Sequence, residues 1–399
     1  MNSRTSSEQG ELDRRCGPGS AAARDGQRLR ILFVVDSPYP TLGGAEIQAR
    51  LLAGELRRMG HDIRVLAPRR LPGQAQRERV DGVEVFRLGH PRWKGLGALI
   101  LNVRYAAWLL RHQHRIDVIH IHMMHNLAGA AGWLKPWLRV PVMVKISGAA
   151  EFRGGILDPD LRNKAKHRLL DRGARRLQAY QCISRETVGM VESAAYPSER
   201  LRLIPNAVDV ARFAFPQRRF DSASTVLFIG RHAPVKALDV LLQAWARLQR
   251  APQARLILAG EGPQTPMLRQ MAQQLGIAES VEFPGTIDDV APLLRRADIY
   301  VQPSHQEGLS NAVLEAMSAS LPIVASRISG NEDLIDDGQT GLLVAPGDPQ
   351  ALAQAIGRLM ESSALRSDLG LAAARKVEAR YGLPTVIDSL LRTYRGLMR

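Results

Sequence analysis

The feature that most limits what this chain can become is a repeated alternation. Short apolar, β-branched runs stand between stretches whose apolar residues recur at helical spacing. The first run, Leu29-Arg30-Ile31-Leu32-Phe33-Val34-Val35, reads as a buried strand. A proline- and glycine-bearing turn follows, from Ser37 to Gly44. Ile47, Leu51, Leu52, Leu56 and Met59 then fall on one helical face, which Gly60 closes. Residues 63–67, 83–88, 118–122, 140–145 and 179–184 read as further strands with helical stretches between them. The pattern lapses over 210–225 and restarts. Strands are expected at 226–230, 254–260, 281–283, 299–301 and 323–325, and helices at 237–249, 267–275, 290–296 and 312–319. Strand and helix taking turns in this way predicts α/β sheets, doubly wound and parallel. We therefore expect two Rossmann-like domains facing a central cleft, over 28–205 and 206–380. A mobile tail over 1–27 precedes them, and a C-terminal helix over 381–399 packs back on the first domain.

Composition narrows the function classes. At 399 residues the chain suits two domains of ordinary size. No apolar run reaches the roughly 18–20 residues that a spanning helix needs, and nothing before residue 29 resembles a secretory signal. Two cysteines, Cys16 and Cys182, show neither pairing nor metal spacing, which fits a reducing, cytoplasmic setting. The net charge of +15 is one-sided. Residues 28–205 hold 30 Lys and Arg against 15 Asp and Glu, whereas residues 206–399 hold 20 of each. An excess confined to one half points to an anionic ligand or surface facing that half.

Three features of the second half converge on one site. Strand 226–230 runs into Gly230-Arg231-His232-Ala233-Pro234-Val235-Lys236, which places two cations at a strand end. Arginine can meet phosphate oxygens through two N–H groups, and lysine adds a point charge. The turns at Gly260-Glu261-Gly262 and Gly285-Thr286 let backbone approach a flat ligand closely. Ser310 is a favoured N-cap residue, so a helix begins there with free N–H groups suited to a diphosphate. Glu307 stands before that cap and Glu315 inside the helix, eight positions on. Two acids flanking an anion site would repel phosphates, so the hydroxyls of a ribose and a hexose are their better partners.

These residues resemble the retaining glycosyltransferases of family four, which have the two-domain B-type fold. The resemblance rests on "GGAEIQARLLAGELRRMGHDIRVLAP", "LIPNAVD", "FIGRHAPVKALDVLLQAWA", "LILAGEGP", "VEFPGTIDD" and "ADIYVQPSHQEGLSNAVLEAMSASLPIVAS", in the family's order, and covers most of residues 28–360. Carried over by position, it implies that Arg231 and Lys236 neutralise the diphosphate of a nucleotide-sugar donor. Glu315 would hold the nucleotide ribose. Glu307, with the backbone N–H groups of Gly308 and Leu309, would hold the donor hexose. Gly43 and Gly44 would be a first-domain loop that closes on the phosphates. Gly285, Thr286 and Ser310 complete the implied donor site, with Glu307, Arg231 and Lys236 as the catalytic group. The family implies no metal and no cofactor, a kept anomeric configuration and a glycan or lipid-linked acceptor. One departure stands out: many members carry a histidine after the strand that here reads Val144-Lys145-Ile146-Ser147-Gly148. Ser147 or Gly148 occupies that neighbourhood here, and His122, Lys145 and Ser147 are the candidates for acceptor or sugar contacts.

The basic half holds two amphipathic stretches. In 161–177, Leu161, Ala165, Leu169 and Leu177 are spaced as one helical face that can dock on the core, leaving seven Lys and Arg outward. Residues 91–115 form a tryptophan-bearing stretch with cations at both ends. Either could lie on an anionic membrane face, at about 1 kcal/mol per cation near the surface. A nucleic-acid binder would share the charge but not Glu307 and Glu315, and 5% aromatic residues offer few stacking platforms. An epimerase or phosphorylase could share the fold and donor contacts. Asp158-Pro159-Asp160 has the letters of a metal-binding DxD but does not follow an apolar strand.

Overall fold

The computed structural model describes residues 27–41, 43–91, 93, 96–148, 152, 155–161, 163–215, 225–248 and 253–399. Most of the expected tail, Cys16 and much of the stretch between the domains (216–224) lie outside the described residues.

Eight strands build the first sheet: β1 (Arg30–Val35), β2 (Asp62–Arg69), β3 (Arg77–Val80), β4 (Val83–Gly89), β5 (Val118–His122), β6 (Val142–Ile146), β7 (Ala179–Cys182) and β8 (Leu201–Leu203). Their order is β3-β4-β2-β1-β5-β6-β7-β8. Every pairing is parallel except β3 with β4. The polar ribbon Arg77–Val80 and the short edge strand Leu201–Leu203 escape apolar periodicity because their side chains are mostly solvated. The second sheet has six parallel strands, β9 (Thr225–Ile229), β10 (Arg255–Ala259), β11 (Val281–Gly285), β12 (Ile299–Gln302), β13 (Ile323–Ser326) and β14 (Leu342–Val344), in the order β11-β10-β9-β12-β13-β14. Two parallel-sheet α/β domains are thus present. In each, strand order reverses beside the first strand, at β1/β5 and at β9/β12, and such switch points are where open α/β sheets bind ligands.

The last helix, Leu383–Leu397, returns to the first domain. Val386, Ile387, Leu390 and Tyr394 are buried in one cluster with Ile31, Phe33 and Leu52. The isolated bridge Val208–Gly382 marks where the chain crosses back.

The 161–177 stretch differs from its expected face. The helix spans Ala165–Ala174, and Ala165 and Leu169 are exposed. Its docking face is Leu170, Gly173 and Ala174, set against the helix Asn126–Leu134. Backbone proximity overrides the apolar spacing: a Cβ on Gly132 would lie 1.8 Å from the Gly173 carbonyl oxygen, and one on Gly173 would lie 2.2 Å from that of Gly129. Only glycine allows so close a crossing. Gly132→Ala should therefore cost about 1–3 kcal/mol by overpacking, read as a lower midpoint in urea with unchanged slope.

Candidate active site

The site assembles at the switch point of the second sheet. Gly230, Gly260 and Gly285 end three neighbouring strands, all at positive φ. The Gly260 N–H donates to the Gly285 oxygen at 2.8 Å, and a Cβ on Gly260 would meet the Gly230 oxygen at 2.0 Å. Backbones this close leave a flat floor. Arg231 stands exposed on it without an ion pair among the described residues, and Thr286 is also exposed.

Glu307 is held by an unusual number of donors. Lys236 pairs with its Oε1. Gln302 Nε2 and Ser304 Oγ donate to that same oxygen at 2.7 and 2.8 Å. Gln302 is itself fixed by Tyr300, whose hydroxyl donates to its Oε1 at 2.8 Å. Oε2 has no hydrogen-bond partner among the described residues, so one oxygen is anchored and the other is free to accept a ligand hydroxyl. The sequence alone assigns neither Gln302 nor Ser304 to the site. Their alternation out of β12, two residues apart on one face, is the signal that could have marked them.

Glu315 projects from the helix Asn311–Ser318, which Ser310 caps by accepting the Val313 N–H at 3.4 Å. Burial pushes its carboxyl up to about 7, with Arg212 pulling the other way. Glu307 and Glu315 both act on the buried Tyr300 hydroxyl, whose pKa is raised first by burial and then by these two carboxylates. The two acids therefore share one neighbourhood, on either side of the helix start.

The first domain closes on that helix start through amides. Asn311 Nδ2 donates to the Gly44 oxygen at 3.1 Å, while Asn206 and Gln48 donate to its Oδ1 at 2.9 and 3.2 Å. Gly44 thus adjoins the free N–H groups, with Gly43 one residue before. Ser147 and Gly148 reach Gly308, where a Cβ would lie 2.5 Å from the Ser147 oxygen. Leu309 is buried at the same junction and accepts from Asn206. A cleft of about 610 Å³ opens beside Glu307, with Glu186 from the first domain and Val235, His305 and Ser329 from the second on its walls.

His122 and Lys145 are not brought to this cleft. Both are fully buried within the first sheet, where burial drives the His122 imidazole well below its usual range. The rings of His120 and Phe33 pack against it at tilted angles. Of the three candidates for acceptor or sugar contacts, only Ser147 lies at the interdomain junction. Asp158 accepts the Asp160 N–H at 2.9 Å in a local turn, and no group of three metal-ligating side chains occurs among the described residues.

A second cavity, of about 340 Å³, sits at the switch point of the first sheet. Asp36 from the end of β1 accepts the Leu127 N–H at 2.8 Å, and burial pushes its carboxyl up to about 6 against the pull of Arg70 and Lys166. His125 and His167 line the same space, each with a buried ring nitrogen that finds no partner among the described residues.

Fold and site together define a glycosyltransferase with two Rossmann-like domains. Residues 42–212 match the model of "Glycosyltransferase Family 4" and residues 223–362 that of "Glycosyl transferases group 1". The chain is 30% identical to a D-inositol 3-phosphate glycosyltransferase of Geodermatophilus obscurus, over 79% of this chain and 76% of the relative. It is 28% identical to the protein of that name from Kineococcus radiotolerans, over 92% and 95%. Among solved structures, Anabaena HepE in complex with UDP-glucose superposes with a TM-score of 0.76 at 21% identity, covering 92% of this chain and 100% of that one. Sucrose-phosphate synthase of Thermosynechococcus elongatus gives 0.77 at 21%, covering 92% and 99%. The chain belongs to glycosyltransferase family 4.

Proposed function

We propose that this protein transfers a hexosyl group from a nucleotide-diphosphate sugar to a hydroxyl of a glycan or lipid-linked acceptor, with retention and without a metal. The observation that carries the reading is Glu307, anchored through one oxygen by Lys236, Gln302 and Ser304 and left open at the other. In this reading the donor diphosphate lies between Arg231, Lys236 and the start of the helix Asn311–Ser318, with Gly43 and Gly44 closing over it. Cations and a helix end stabilise the charge that develops on the leaving phosphate, which is the task a divalent ion performs elsewhere. Glu315 takes the ribose hydroxyls. The free oxygen of Glu307 and the N–H groups of Gly308 and Leu309 take the hexose. The bond from the anomeric carbon to the diphosphate oxygen breaks as that carbon joins the acceptor oxygen on the same face. The acceptor's proton passes to the departing diphosphate, so no protein nucleophile is needed.

The first-domain cavity supports an anionic polyol as acceptor. Arg70 and Lys166 can meet a phosphate there, and Asp36 and Asn126 can meet hydroxyls. Relatives called D-inositol 3-phosphate glycosyltransferases favour this class. We expect synthesis of cell-envelope glycans as the setting.

A thermal-shift screen against UDP, GDP, ADP and their sugars tests the donor half, because a ligand that binds only the folded state must raise the midpoint. One nucleotide should give a clear rise in the presence of EDTA. No shift with any of them would remove the reading. Proton NMR of the product then reports the anomeric configuration, and an inverted product would overturn retention. An isomerised sugar nucleotide formed without acceptor would favour an epimerase instead.

A further inference from the structure

The helix Leu96–His112 has two apolar faces where a surface helix has one. Its inward face is Gly97, Leu101, Tyr105 and Leu109, all buried. Leu96, Leu99, Val103, Ala107 and Leu110 lie on the opposite side, at steps of three and four residues, and all are exposed. Leu99 and Val103 are 58% and 61% exposed, and Trp93, just before the helix, is 65% exposed. Helical spacing of 100° per residue puts the two rows about diametrically apart. A helix that is apolar toward solvent as well as toward the core requires something to cover it.

Charge identifies the cover. From His90 to Arg139 the sequence carries seven Lys and Arg against one acid. That acid, Asp117, is engaged by Arg30. Arg104, Arg111, Arg115 and Arg139 form no ion pair among the described residues. A second copy of the chain seated through a two-fold axis would set the same unpaired arginines against one another. An anionic bilayer satisfies both parts of the surface, taking the aliphatic row and Trp93 at the acyl boundary and the arginines at the headgroups.

We propose that this helix lies in the interface of an anionic membrane, with its Leu96-Leu99-Val103-Leu110 row buried in the leaflet. This binding stands independently of the sugar-transfer reading. It also gives the first-domain cavity a position. Asn102 on the same helix and Asn126 exchange amide hydrogen bonds at 3.2 and 2.6 Å, and Asn126 lines that cavity. A docked helix would hold the cavity about one helix diameter, roughly 10 Å, from the headgroups.

Flotation of the full chain tests the proposal, using vesicles of phosphatidylcholine alone and of phosphatidylcholine with 30 mol% phosphatidylglycerol. The wild type should float with the anionic vesicles and remain at the bottom with the neutral ones. Leu99→Ser/Val103→Ser should lower the partition coefficient at least tenfold while keeping its melting temperature and its nucleotide-induced shift. Arg104→Gln/Arg111→Gln should lower it as well, and added salt should mimic that loss. Trp93 should shift its emission to shorter wavelength on anionic vesicles, read against Trp93→Phe. Equal flotation of wild type and Leu99→Ser/Val103→Ser would overturn the proposal, as would wild type that ignores anionic lipid. A concentration-dependent dimer in light scattering that the serine variant abolishes would give the face to a second copy and overturn it too.

Discussion

Lys236→Ala should lower kcat/KM for nucleotide-sugar-dependent transfer by about 10²–10³-fold while leaving the protein folded. The lysine and Glu307 form a largely sheltered pair, with side chains 19% and 12% exposed. Its removal leaves Glu307 two neutral donors, Gln302 at 2.7 Å and Ser304 at 2.8 Å, so the carboxylate stays solvated by the fold. The stability loss should be about 1–2 kcal/mol on that account, well below the 3–5 kcal/mol of a charge stranded in a core. The catalytic loss has a different origin. A cation beside the departing diphosphate gains strength as charge builds there, and alanine offers nothing in return. Glu307→Gln should fall by a similar factor. The double variant should fall by little more than either single, because residues that act as a unit are not additive. Steady-state kinetics of the four proteins provide the check. A loss below tenfold in Lys236→Ala would make the pair a structural contact only, and full additivity would separate the two residues into unrelated roles.

Periodicity carried most of the fold because the buried strands are saturated with apolar side chains. In β1, β5, β6, β12 and β13 nearly every residue is buried, so the run itself announces the strand. Solvated elements left no such mark. Arg77–Val80 pairs with β4 through backbone bonds and shows mostly polar side chains, and the contact of Gly132 with Gly173 is a matter of backbone geometry that apolar spacing does not encode. The helix start at Ser310 was legible because capping is local chemistry. The support of Glu307 was not: its donors come from a strand end, a turn and the loop after β9, which meet only once the sheet has formed. For the same reason His122 and Lys145, read from sequence as contacts, proved to face the interior of the first domain. A strand alternates its sides, and the sequence does not say which side looks into the cleft.

Glu315→Gln should make the fold more stable at pH 8 while removing most of the nucleotide-induced thermal shift. Burial holds this carboxyl at about 7 in the fold, against an ordinary value near 4.5. The folded state therefore keeps the proton over a window in which the unfolded chain has released it. Stability is greatest below the unfolded value, declines as pH rises from about 4.5 to 7, and stays at its lower level above that. Each unit of displacement is worth about 1.4 kcal/mol, so the full cost of ionised Glu315 at pH 8 is at most about 3.5 kcal/mol. Asp36, held at about 6, adds a cost of the same sign over a lower window. A neutral amide of the same shape escapes the penalty. The midpoint of Glu315→Gln should accordingly exceed that of the wild type at pH 8 and converge with it by pH 4.5, in scans over that range without ligand. A fold that holds a carboxyl so far above its ordinary value has given up stability for it, and ribose hydroxyls that donate to the carboxylate are the natural compensation. Nucleotide should then lower the Glu315 pKa and bind more tightly as pH rises through 7, a dependence that the glutamine variant must lack. If the variant binds nucleotide as well as the wild type does, or if its stability tracks the wild type at every pH, Glu315 is an ordinary core acid and the ribose site lies elsewhere.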